Sequence, residues 1–138
     1  MANGTEAAKG YRVFIVDDDP VFLSLYTRVL RKNGHFTYPA ECAQDALQII
    51  ERGLTKIDLI ITDVNMPGLS GLEFHQKVKE RRPELADRMI FITGDPESDR
   101  VVEFTRGLPN WVLGKPFLTS DLLQAIESLR IPPPSEGF

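Results

Sequence analysis

The sequence predicts an α/β domain built on a doubly wound, five-stranded parallel sheet in the order 2-1-3-4-5. Three observations carry that expectation. Short β-rich runs alternate with amphipathic helical patterns five times along the chain. The runs are nearly continuously apolar, as strands covered on both faces must be. The second run ends in Pro39, whose missing N–H suits an edge strand, the place this order gives it. The arrangement is the flavodoxin-like one.

The first strand is read over "RVFIV" from Arg12, ending against Asp17, Asp18 and Asp19. Asp19 precedes Pro20, and Asp-Pro at a helix start reads as N-cap followed by the first helical residue. Beyond it, Phe22, Leu25, Tyr26 and Val29 fall at i, i+3, i+4 and i+7 and are expected to face the core. "FTY" from Phe36 is the second strand, and Ala43, Ala46, Leu47 and Ile50 pattern the second helix. "DLIIT" from Asp58 is the third strand and delivers Asp63. The third helix opens at Ser70 with Glu73 three residues on, the signature of a capping box. "RMIFIT" from Arg88 delivers Thr93 and precedes the short, weakly patterned helix "PESDRVVEFTR". "NWVL" from Asn110 leads to Lys115, and the last helix carries Leu122, Ala125, Ile126 and Leu129 on one face. Residues 1–10 read as a polar leader and 11–130 as the domain. Residues 131–138, with three prolines, read as an extended tail or the start of a linker.

A chain of 138 residues with 42% apolar and 26% charged residues is one globular domain's worth. A net charge of −4 argues against direct nucleic-acid binding. The single cysteine, Cys42, has no internal disulfide partner, which points to a reducing, cytoplasmic home. The first residues lack the apolar core of a signal peptide. No stretch is long and apolar enough to insert in a membrane.

In doubly wound sheets ligands bind outside the carboxyl ends of the strands. There the sequence gathers Asp17 and Asp18, Asp63, Thr93 and Lys115. Three carboxylates in one pocket repel unless a cation sits among them, and hard oxygen donors suit Mg²⁺. A carboxylate is also a nucleophile able to form an acyl phosphate. A hydroxyl and an ammonium can hold phosphoryl oxygens, so the pattern suggests metal- and lysine-assisted phosphoryl transfer to an aspartate.

"VDD" after the first strand, "DVNMPGLSGLE" after the third, "IT" with a small residue after the fourth and "KPF" after the fifth occur in that order. In this the chain resembles the receiver domain of two-component response regulators over nearly all of residues 11–130. The resemblance implies that Asp63 accepts phosphate from a phosphohistidine on a histidine kinase or histidine phosphotransfer domain. It implies that Asp17 and Asp18 hold Mg²⁺ together with Asp63 and the backbone carbonyl of Asn65. Thr93 is similar to the family's switch hydroxyl and Lys115 to its phosphate-contacting lysine, followed by a cis bond to Pro116. A regulatory phosphoacceptor is implied rather than an enzyme, its downstream effector unnamed and a homodimer left open. "GLPNWVLGKPF" looks closer to receivers attached to hybrid histidine kinases than to those of many transcription factors. One departure concerns the aromatic that the family places three residues before the lysine. Val112 stands there, with Trp111 one place earlier and so on the opposite strand face. Trp111 therefore reads as a packing or surface residue.

His35 and His75 lie away from the rim motifs, and Cys42 reads as a small buried filler. Lys77, Lys79, Arg81 and Arg82 read as a solvated helix face, and Gly68 and Gly71 as a turn and a helix start. One rival is an enzyme: Asp17-x-Asp19-x-Val21 resembles the nucleophile motif of haloacid-dehalogenase-type phosphatases, and "GDPESD" from Gly94 their acidic motif. That order would place the lysine before the acidic motif, whereas Lys115 follows it, and Asp63 would have no task. A degenerate receiver serving only as an interaction module is disfavoured by the intact set of site residues.

Overall fold

All five apolar runs join one parallel sheet: β1 (Arg12–Val16), β2 (Phe36–Ala40), β3 (Leu59–Asp63), β4 (Met89–Thr93) and β5 (Val112–Gly114). Their order is β2-β1-β3-β4-β5, as the sequence predicts. The computed structural model describes residues 10–53 and 55–132. The expected leader up to residue 9 and the proline-rich tail from residue 133 lie outside the described residues.

β2 runs two residues past "FTY", with Pro39 opposite Ile15 and Ala40 opposite Val16. Proline is tolerated there because β2 pairs along one edge only. β5 starts later than "NWVL" suggests. Asn110 instead turns its amide inward, donating to the carbonyls of Ala86 (2.9 Å) and Met89 (2.8 Å). That tertiary bond ties the approach to β5 to the start of β4.

The helices among the described residues are α1 (Pro20–Lys32), α2 (Ala43–Arg52), α3 (Gly71–Arg81), α4 (Pro83–Ala86), α5 (Asp99–Thr105) and α6 (Thr119–Ser128). The expected capping box is present at α3, with Ser70 and Glu73 bonding reciprocally. The single turn α4 was not expected. Pro83 disfavours helix in the residue before it and then seeds a new turn as its first residue. The inner face of α1 also needs correction. Leu23, Tyr26 and Leu30 are buried, whereas Leu25 is 44% exposed. Two overlapping apolar registers fit the helical period here, and contact with the sheet selects the second. Cys42, expected buried, is half-buried at the start of α2.

Strand residues alternate between two cores. Phe14, Val16, Ile60, Met89 and Phe91 face α2 and α3, meeting Ala46, Ile50, Phe74 and Val78. Val13, Ile15, Leu59, Ile61, Ile90 and Ile92 face α1 and α6, meeting Leu23, Tyr26, Leu30, Leu122 and Ile126. Ile131 joins this second core, and the Tyr11 hydroxyl donates to its carbonyl at 2.7 Å. Packing thus continues one residue past the expected boundary at 130.

His75 of α3 is buried against Phe91 and Phe104, with ring centroids 5.5 Å from each. Burial first, then the charge of Lys79, lowers its pKa below the ordinary 6.5, and burial lowers that of His35. The folded chain therefore binds fewer protons than the unfolded chain as pH falls through about 6.5, so stability declines on acidification from there toward the depressed folded pKa. His75→Leu should flatten this decline by up to ~1.4 kcal/mol per pH unit. Urea unfolding of both proteins from neutral to mildly acid pH reads the difference, with His35 retaining its own share.

Candidate functional site

The polar residues meet at the carboxyl rim of the sheet because four strands end there. After β1, the Asp17 N–H donates to the carbonyl of Ala40 at 3.1 Å, which holds the chain to β2 for one further residue. The Asp17 side chain is fully buried, and its Oδ1 accepts the Asp19 N–H at 2.9 Å. Asp19 in turn caps α1, accepting the Val21 N–H at 2.9 Å ahead of Pro20. These two bonds leave Asp18 exposed at the mouth.

Asp63 is the last residue of β3 and is buried. Oxygens of Asp17, Asp18 and Asp63 lie within 4.8 Å of one another. Lys115 reaches in from beyond β5, its Nζ 3.4 Å from Asp17 Oδ2 and 3.5 Å from Asp63 Oδ2. Its stem is directed by a 2.7 Å bond from its N–H to the Thr93 carbonyl. The Lys115-Pro116 peptide is cis. Thr93 ends β4 with its side chain fully buried, and Oγ1 accepts the Asp95 N–H at 3.1 Å.

Three negative charges here face one ammonium. Burial raises the pKa of both Asp17 and Asp63, and for Asp63 the charge of Asp17 adds to the rise. Lys115 pulls both down, as do backbone N–H groups, that of Asp19 on Asp17 and that of Asn65 on Asp63. Three carboxylates with a single ammonium among them, all hard oxygen ligands, fit a divalent cation such as Mg²⁺.

The family model for the response regulator receiver domain matches residues 13–127. The chain belongs to that family. This receiver domain is 31% identical to Protein PilH of Pseudomonas aeruginosa over 119 residues, covering 86% of this chain and 96% of PilH. It is 33% identical to the two-component response regulator ORR26 of rice over 94 residues, 68% of this chain but 16% of that protein. The chain spans about half or less of several curated relatives, 48% of the regulatory protein VanR of Enterococcus faecium among them. Among solved structures, a CheY-like receiver domain protein of Methanospirillum hungatei superposes with a TM-score of 0.77 at 29% identity, over 88% of this chain and 94% of that one. TrrA of Thermotoga maritima, solved in complex with Mg²⁺-BeF, gives 0.73 at 26% identity, over 86% and 98%.

Of the expected site residues, the receiver fold brings Asp17, Asp18, Asp63 and Lys115 together. Thr93 stands on the same rim with its hydroxyl tied to the loop entering α5. Asn65 lies two residues past Asp63, and its backbone N–H lowers the Asp63 pKa. The phosphatase alternative would need Asp19 as its acid/base, and in the structure one Asp19 oxygen caps α1 instead. Val112 is half-buried against the core that holds Phe91 and Phe104, while Trp111 is 37% exposed. Phe104 of α5, not a residue of β5, supplies the ring that packs edge-on against Phe91 at 6.2 Å.

Two neighbours of the site were missed as such in the sequence. The Phe22 ring lies beneath Lys115, 4.0 Å from Nζ to centroid, an attraction that holds the ammonium over the rim. Arg100 of α5 places Nη1 3.5 Å from Asn65 Oδ1. The signal for Phe22 was available: it lies on the first turn after the Asp19 cap, which a helix leaving a strand end presents to the rim. No helix among the described residues is long and apolar enough to cross a membrane. The domain is a receiver of two-component signalling.

Proposed function

We propose that this receiver domain accepts a phosphoryl group on Asp63, in a Mg²⁺-dependent step, from a phosphohistidine of a cytoplasmic histidine kinase or phosphotransfer domain. The observation that carries the reading is the Asp63 carboxylate, sharing Lys115 with Asp17 inside a cluster of three acids. A carboxylate oxygen of Asp63 attacks phosphorus, a P–O bond forms, the P–N bond breaks, and the imidazole leaves with its electron pair. Asp17, Asp18, Asp63 and the Asn65 carbonyl would hold Mg²⁺, which would supply positive charge to the carboxylates and the phosphoryl oxygens.

Lys115 moves from neutralising a carboxylate to holding a phosphoryl oxygen. Thr93 accepts from Asp95 and so keeps its own proton to donate. Turning toward the new oxygens, it draws the Asp95 loop and α5 with it. The surface that changes is then the one formed by α5 and β5, where downstream proteins bind. In this reading the chemistry acts on the domain itself and not on a turnover substrate.

Intact mass after incubation with Mg²⁺ and acetyl phosphate tests the assignment. The expected result is one base-labile phosphoryl group on the peptide containing Asp63, absent when EDTA replaces Mg²⁺. Steady phosphate release that survives loss of Asp63 but not of Asp17 would overturn it in favour of a phosphatase.

A further inference from the structure

Tyr26 is 2% exposed on the inner face of α1, yet its hydroxyl has no hydrogen bond of full geometry. Leaving a buried hydroxyl so is unfavourable, and a phenylalanine would fill the same space without that cost. The ring is fixed on both sides. It stacks on Phe22 of the same helix, centroids 5.9 Å apart, and on Phe117 beyond β5, 5.7 Å apart. Phe22 also carries Lys115 Nζ over its face at 4.0 Å. One aromatic stack therefore supports both the ammonium and the phenol.

The phenol end of this stack meets the acid cluster. Asp17 lies within hydrogen-bonding reach of the Tyr26 hydroxyl, in a geometry short of a full bond, and the Asp63 charge acts on it next. Burial, then these two charges, holds the phenol in its protonated form. Asp17 already accepts the Asp19 N–H on Oδ1 and faces Lys115 at 3.4 Å on Oδ2. A carboxylate has about four lone-pair sites, so room remains for a further donor.

We propose that Tyr26 is a positioning residue for the metal site, its hydroxyl donating to Asp17 and fixing which Asp17 oxygen faces the ion. The inference rests on the Mg²⁺ reading above and goes beyond it in assigning a role outside the ligand set. Ligating carboxylates are commonly oriented by such outer donors. Without the phenol, Asp17 keeps its charge but loses one of the contacts that set its rotation, and Lys115 competes for it more freely.

Calorimetric titration of Mg²⁺ into the wild type and Tyr26→Phe, with urea unfolding of both in EDTA, tests this. The variant should be about as stable as the wild type without metal, since the hydroxyl it loses makes no bond of full geometry there. Its Mg²⁺ dissociation constant should rise about 10-fold, the low end of the ~10–100-fold loss typical of outer-partner removal. Phe117→Leu, which loosens the stack but keeps the hydroxyl, should lower stability and weaken Mg²⁺ binding less than Tyr26→Phe does. Equal Mg²⁺ affinity in wild type and Tyr26→Phe would overturn the inference and leave the metal reading intact. Absence of Mg²⁺ binding by the folded wild type would overturn both.

Discussion

Asp63→Asn should take up no phosphoryl group, its rate with Mg²⁺ and acetyl phosphate falling by at least about three orders of magnitude, as for other lost nucleophiles. The amide keeps the shape of the carboxylate but lacks the charged oxygen that, in the proposed reaction, would attack phosphorus. Its effect on folding should have the opposite sign. Asp63 is buried beside Asp17, and each raises the electrostatic cost of the other; Lys115 stands between them at 3.4 and 3.5 Å and neutralises only one charge. The substitution removes a charge from the crowded set and leaves Lys115 paired with Asp17. In EDTA the variant should therefore unfold at higher urea, with a gain on the order of 1–3 kcal/mol. Mg²⁺ should shrink that difference, because an ion bound at the proposed site would stabilise the wild type, with its extra carboxylate, more strongly. A variant that is both inactive and less stable than the wild type in EDTA would mean that Asp63 supports the fold through contacts other than this charge cluster.

Much of this site was legible because the strand ends place it. Once five apolar runs are assigned to a doubly wound sheet, Asp17, Asp63, Thr93 and Lys115 are bound to one rim by chain geometry alone. The Asp19 cap was equally local, since Asp-Pro encodes it within two residues. What was not legible depends on partners remote in sequence. The azimuth of α1 was ambiguous because Leu23, Tyr26 and Leu30 share the helical period with the alternative face, and only the sheet distinguishes them. The start of β5 moved because Asn110 finds the carbonyls of Ala86 and Met89. α4 is too short to leave a periodic trace. Tyr26 and Phe22 were visible only as apolar positions, because their relation to Lys115 and Phe117 exists only after α1 and the loop beyond β5 are packed side by side.

The tightest joint between fold and site is a glycine. Gly71, the first residue of α3, donates its N–H to the Val64 carbonyl at 2.9 Å. A Cβ at this position would collide with the Asp63 carbonyl oxygen and stand 2.9 Å from Val64 Cα. All of these are backbone atoms, which cannot swing aside as a side chain can. Gly71→Ala must therefore push α3 away from the end of β3 or shift Asp63 itself. Overpacking of this kind costs about 1–3 kcal/mol and occasionally more, and a backbone-on-backbone clash belongs at the upper end. Urea unfolding should show that loss, and acetyl phosphate should label the variant several-fold more slowly, because the displaced carbonyl belongs to Asp63, the proposed phosphoacceptor. Gly94→Ala is the matched control: it lies beside Thr93 on the same rim, but its added Cβ would meet nothing within 4 Å. Its stability should stay within about 0.5 kcal/mol of the wild type. If both variants unfold alike, the seat of α3 on β3 is looser than the contact distances require, and the placement of Asp63 must depend on the Lys115 pairing instead.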